Sequence, residues 1–196
     1  MVPYFPDFIQ NFDVTVLNGI HEFFTCDFLD FIMPKITFLG DKGWIWIVLA
    51  VALLPFKKTR KTGLMMGVAL ILGLIFGNGL LKNFFGRVRP YELEGALVTN
   101  PLIEKPHDYS FPSGHTLASF EAAAVVLIRC NKLPGKALFG MLVTILAAFI
   151  AFSRLYLYVH FPSDIIGGII LGVFFGFCGV WIINGIEKAL NKGKLN

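Results

Sequence analysis

The stretch "TGLMMGVALILGLIFGNGLL", residues 62–81, decides the fold class. It contains no charged side chain and has the ~20 residues that an α-helix needs to cross ~30 Å of hydrocarbon. Inside a bilayer every backbone N–H and C=O must find a partner within the protein, so an uncharged run of this length is read as a spanning helix. Moving outward from it, residues 164–186, uncharged after Asp164, form a second run, and residues 137–158 a third that only Arg154 interrupts. Residues 112–128 form a fourth, carrying Glu121. Residues 44–56 are short and bounded by Asp41 and Lys42, and residues 22–39 carry Asp27, Asp30 and Lys35. Before these, Phe5, Phe8, Ile9, Phe12, Val16 and Ile20 recur at helical spacing among polar residues. That is the pattern of an amphipathic helix lying in the membrane interface.

Composition agrees. Of 196 residues 56% are hydrophobic, 21 are phenylalanine and only 15% are charged, against roughly 45–50% apolar and about 25% charged in soluble domains. The expected fold is all-α: a polytopic membrane helix bundle of about six transmembrane helices plus the N-terminal interfacial helix. It fills one domain, 1–196, with 1–21 the amphipathic helix, 22–188 the bundle and 82–164 the chemical motifs. Cys26, Cys130 and Cys178 are odd in number and far apart, which suits neither a disulfide framework nor a metal site. No basic segment leads into an apolar one at the N-terminus, so a cleaved signal peptide is not expected.

The net charge of +4 sits in short tracts between apolar runs, so no nucleic-acid partner is expected. Residues 57–61, residues 129–136 and the tail with Lys188, Lys192 and Lys194 together hold ten Lys or Arg. With six alternating spans all three tracts share one face, which the positive-inside rule makes cytoplasmic, with both termini there. The loop 82–111 and the junction near His160 then face outward.

That outer face gathers three clusters: "KNFFGRVRP" (82–90), "PSGH" (112–115) and "SRLYLYVHFPSD" (153–164). Pro112 and Ser113 suit a helix start, and Gly114 lets a ligand approach the backbone. The free N–H groups of such a first turn, at the positive end of the helix dipole, attract an anion. His115 beside that anion can serve as a general acid. His160 and Asp164, four apart, suit a carboxylate-oriented imidazole whose other nitrogen attacks phosphorus. Lys82, Arg89 and Arg154 would neutralise phosphate oxygens as charge shifts. Three cations and a helix N-terminus do that work without a metal ion, and no carboxylate cluster suggests one. Taken singly, each residue has a plainer reading: an arginine near a span end is most often a snorkelling anchor. The conjunction on one face, with charges placed inside spans, is the functional signal.

Together, Lys82 with Arg89-Pro90, the tetrad 112–115, and Ser153-Arg154 with His160 and Asp164 resemble the three-part signature of the type 2 phosphatidic acid phosphatase superfamily, without departure at the motif positions. The resemblance implies a metal- and cofactor-independent lipid phosphatase working through a phosphohistidine. It implies His160 as nucleophile, Asp164 as its orienting partner and His115 as leaving-group acid, with Lys82, Arg89, Ser113, Gly114 and Arg154 holding phosphate. Arg87, Tyr109 and His107 are candidates for headgroup contacts. Undecaprenyl diphosphate is the expected substrate. Phosphatidylglycerophosphate or phosphatidic acid is the alternative, a phosphate or lipid transporter a more distant one, and the apolar spans argue against a soluble haloperoxidase. The glycines at 168, 172 and 176, like those at 73 and 77, suit close helix packing within one bundle or a homodimer face. Glu121 is expected to be protonated or paired with a buried cation such as Arg154.

Overall fold

The computed structural model describes residues 5–130 and 136–192. The middle of the basic tract 129–136, and Lys194, lie outside them. The described residues are all-helical, with no strand among them. Helix α1 is Asp7–Phe24, α2 is Asp27–Leu39, α3 is Trp44–Leu53 and α4 is Arg60–Leu72. The decisive stretch continues α4 as a π-helix, Gly73–Leu81, and ends in a single α-turn, α5, Lys82–Phe85. Gly86 stops it in the left-handed region, with φ +54°, a conformation glycine adopts without a Cβ penalty. A long loop leads to α6 (Gly114–Cys130), α7 (Lys136–Tyr156) and α8 (Pro162–Lys192). Proline opens α8, where a missing N–H costs nothing.

Three helical stretches, 60–92, 137–156 and 162–192, are each long and apolar enough to cross a membrane, and α2 taken with α3 makes a fourth. Helix α6 is packed among α4, α7 and α8 and forms the middle of the bundle. Its Ala122, Ala123, Val125 and Val126 meet Trp46, Met65, Met66, Ala69, Val143, Ala147 and Ile150 in the main core. Large apolar side chains of α4, α7 and α8, among them Ile71, Phe149, Phe174 and Trp181, point outward, as lipid-facing residues do.

Segments 22–39 and 44–56 adjoin as two halves of one element, bent by 40° where Gly40, Lys42 (φ +51°) and Gly43 (φ +68°) break the helix. Asp30 of α2 accepts from the Tyr156 hydroxyl at 2.5 Å, at the end where α7 finishes. Ala50 of α3 abuts Gly63, at the end where α4 starts. The bent pair therefore runs the length of the bundle once. The two described ends of the chain lie at opposite ends of the bundle. Phe5 packs on Phe85 and Phe111 at the Tyr156 end, whereas Glu187 of α8 pairs with Lys61 at the opposite end.

Lipid tails are as apolar as leucine, so helix association in a bilayer depends on close packing more than on exclusion from water. The α8 glycines supply that closeness within the bundle. A Cβ on Gly172 would stand 2.6 Å from the Leu117 carbonyl oxygen, and one on Gly168 2.9 Å from Thr116 Cβ. Forcing a methyl in at Gly172 is an overpacking change, of order 1–3 kcal/mol. It would also part α6 from α8, the helices that carry His115 and Asp164.

Candidate active site

A cavity of about 1060 Å³ opens at the end where α7 finishes, and its upper wall holds Lys82, Arg89, Gly114, His115, Arg154 and His160. All three motif clusters reach it. Lys82 ends the π-helical stretch, Arg89 follows the Gly86 turn, His115 lies in the first turn of α6, Arg154 lies in the last turn of α7, and His160 occupies the short link to α8. Ser113 caps α6, its Oγ accepting from Thr116 Oγ1 at 3.0 Å, and its own N–H donates to the Asp164 carbonyl at 3.2 Å. It thus secures the anion-facing helix start and locks α6 to α8. Gly114 is required by a neighbour: a Cβ there would come within 2.5 Å of Asn78 Oδ1.

His160 is buried, with Nδ1 3.4 Å from Asp164 Oδ2 and Nε2 3.2 Å from Arg89 Nη1. Asp164 is held from several sides. Its Oδ2 accepts from Phe161 N at 2.8 Å and from the Ser110 hydroxyl, and its Oδ1 accepts from Arg87 Nη1 at 2.6 Å. Above all burial, then the cations Arg89, Arg154 and Lys82, push the His160 pKa well below its ordinary value. Burial and three neighbouring cations outweigh the carboxylate and favour the neutral imidazole.

The cavity cations Lys82, Arg89 and Arg154 differ in how far their donors are already used. Arg89 donates to the Val159 carbonyl at 2.6 Å and to Asp108 at both backbone and side chain. Lys82 donates to Asp108 Oδ2 at 2.5 Å and to the Tyr109 carbonyl at 2.9 Å. Arg154 donates from Nη1 to Thr37 Oγ1 at 2.6 Å, and its buried Nε has no partner among the described residues. Partial burial pushes the Asp108 carboxyl up, but Lys82 and Arg89 outweigh it and hold its pKa below the usual range. Asp108 is therefore an anion that already lies against two of the cavity cations, Lys82 and Arg89.

Sequence reasoning missed three partners. His115 Nε2 lies 2.8 Å from Asp41 Oδ1, in the turn that breaks α2 from α3. Gly40 closes on the same imidazole, since a Cβ there would meet its Cδ2 at 2.8 Å. The other two are Ser110 and Asp108. The available signal was an aspartate between two glycines, "GDKG", placed between two apolar runs. Arg87 was expected at a headgroup, and this is corrected: it is buried and bonded to Asp164 and Asp13. Tyr109 is 44% exposed and reaches the site only through its carbonyl, while His107 lies at the cavity mouth. Glu121 is not paired with Arg154. Its carboxyl presses on Gly73 deep in the cavity, and Oε1 has no partner among the described residues.

Comparison with known proteins gives a consistent result. The sequence pattern of the family described as PAP2 superfamily matches residues 62–188. The chain is 33% identical over 147 residues to an undecaprenyl-diphosphatase of Sulfolobus acidocaldarius, covering 74% of this chain and 68% of that one. It is 30% identical over 149 residues to undecaprenyl-diphosphatase BcrC of Bacillus subtilis, covering 76% and 72%. In fold it is similar to the crystal structure of a transmembrane PAP2-type phosphatidylglycerolphosphate phosphatase from Bacillus subtilis, with TM-score 0.73, 24% identity and coverage of 93% and 88%.

Proposed function

Because the chain belongs to the PAP2 superfamily of membrane lipid phosphatases, we propose that it hydrolyses undecaprenyl diphosphate at the outer face of the membrane, through a phosphohistidine on His160 and without a metal ion. The observation that carries this reading is the convergence of His160 Nε2, three buried cations and the α6 N-terminus on one cavity wall. In the first step His160 Nε2 bonds to the terminal phosphorus as the bond from that phosphorus to the bridging oxygen breaks. His115 supplies the proton that the departing lipid phosphate takes. In the second step water attacks the phosphoimidazole, His115 takes a proton from it, and inorganic phosphate leaves as the N–P bond breaks. Lys82, Arg89 and Arg154 stabilise the equatorial oxygens in both steps.

Ile47, Leu70, Leu74 and Leu117 line the same cavity and offer an apolar wall to the first units of a lipid chain. One observation favours a second reading. Glu121 places an unpartnered carboxyl in that wall, where the ester groups of phosphatidylglycerophosphate or phosphatidic acid offer polar partners and an isoprenoid chain offers none. Phosphate release from purified protein, with EDTA present, across undecaprenyl diphosphate, phosphatidylglycerophosphate and phosphatidic acid decides between them. The isoprenoid diphosphate is expected to give the highest kcat/KM, with activity retained in EDTA. A glycerolipid preference would replace the substrate assignment, and full loss in EDTA that magnesium restores would remove the metal-free mechanism.

Orientation is supported by the basic residues. Lys61 and Arg129 lie at the end opposite the cavity, Arg129 Nε being 3.4 Å from Thr62 Oγ1. With that end cytoplasmic, the site and α1 lie outside. In a background without native cysteines, a cysteine replacing Glu94 is expected to react with a membrane-impermeant thiol reagent in intact cells, and one replacing Thr59 is not. The reverse pattern would place the site inside.

A further inference from the structure

Helix α1 buries Leu17 against the bundle but exposes several large apolar residues while burying a carboxylate. Phe8, Phe12 and Phe23 are 75%, 52% and 86% exposed, whereas Asp13 is fully buried. The exposed phenylalanines suit the lipid interface. The buried carboxylate faces the protein, where an unpaired charge would be strongly destabilising. It accepts from three donors on two residues. Arg87 Nη2 donates to Asp13 Oδ2 at 2.6 Å, and Ser163 donates to it from N at 2.8 Å and from Oγ at 2.5 Å. Ser163 N belongs to the first turn of α8, so Asp13 caps that helix across space and lies at the positive end of its dipole.

The same guanidinium continues to the reacting groups. Arg87 Nη1 donates to Asp164 Oδ1 at 2.6 Å, and Asp164 Oδ2 faces His160 Nδ1. Phe5 and Phe161 stack on Arg87 from two sides, with its guanidinium carbon 3.9 and 4.1 Å from the ring centroids. Gln10 of α1 accepts from its Nη2 at 3.0 Å. A second tie from α1 reaches the same link. Asn18 accepts from the Tyr158 hydroxyl at 2.5 Å, and Tyr158, two residues before His160, is held in the left-handed region with φ +59°. A tyrosine there is conformationally costly and depends on its surroundings, here Leu17 of α1 and Phe161.

We propose that Asp13 of the interfacial helix is a positioning residue for the nucleophile: through Arg87 and the first turn of α8 it fixes Asp164, and hence the direction in which His160 Nε2 attacks. This rests on His160 being the nucleophile. Asp13 touches neither the cavity wall nor any phosphate-facing cation named above, so the phosphate cradle should be insensitive to it.

The test uses the full chain in detergent micelles. Asp13→Asn keeps size and one acceptor but removes the charge. It is expected to lower kcat about tenfold, while the inhibition constant of inorganic phosphate stays within about twofold. Arg87→Lys is expected to lower kcat as well, and the double variant to be no worse than Arg87→Lys alone, because residues acting through one contact are not additive. If Asp13→Asn does not accumulate, Gln10→Leu, which loosens the same guanidinium, is expected to lower kcat about threefold with phosphate binding unchanged. A kcat within twofold of wild type, additive losses, or a phosphate affinity that falls with kcat would each overturn the proposal. His160→Ala is run beside these variants: were it active, the nucleophile reading itself would fall, a result distinct from failure of the Asp13 proposal.

Discussion

Replacing His160 by alanine is expected to reduce turnover by at least about 10³-fold, because it removes the atom to which phosphorus transfers and leaves only the binding contribution of the cradle. The fold should survive. Asp164 keeps Arg87, Phe161 N and Ser110 as partners when the imidazole is gone, so no buried charge is stranded. Wild-type protein quenched during turnover of a substrate labelled in its terminal phosphate should carry acid-labile, base-stable label, and the His160→Ala variant none. Near wild-type turnover in the variant would end the assignment. The same residue sets the acid limb of the pH profile. Burial, Arg89, Arg154 and Lys82 push its pKa down. The free enzyme therefore keeps a neutral nucleophile until the pH falls below the ordinary histidine value of ~6.5. Since kcat/KM reports the free enzyme, its acid limb should lie on the acid side of that value, while the need for a protonated His115 gives a separate basic limb. An acid limb at or above pH ~6.5 would contradict the arrangement of cations around His160.

The second large effect is expected at Arg154. Among the phosphate-facing cations it is the least engaged by protein acceptors. Its Nη1 bonds to a threonine hydroxyl, its Nε has no partner and no carboxylate pairs with it among the described residues. Arg154→Leu should therefore lower kcat/KM by roughly 10²–10³, the range for loss of one preorganised electrostatic contact to a transition state. The thermal unfolding midpoint in detergent should stay level or rise, since the variant replaces an uncompensated buried charge with an apolar group. Lower activity with a clearly lower midpoint would mean that Arg154 supports the fold and not the phosphate.

The sequence by itself determined what depends on near neighbours along the chain. An uncharged run of membrane length can only be a spanning helix, so residues 62–81 settled the fold class. The spacing of Ser153, Arg154, His160 and Asp164 lies within one helix end, one short link and one helix start, so their common site was legible. Glycines at 168, 172 and 176 foretold close helix approach, and the structure shows where it occurs. Local patterning could not say that segments 22–39 and 44–56 make one bent traverse. Both are apolar, and the break depends on how Gly40 packs against His115 and Ile150 from other helices. Nor could it reassign Arg87, which has the same local signature as an interfacial anchor and differs only in what lies beside it. Asp41 meets His115 across 74 positions, and Asp13 meets Ser163 across 150. No periodicity spans such separations. Which carboxylate neutralises which buried cation is decided when the helices close on one another, because a charge shut away from water must take the partner that packing brings to it.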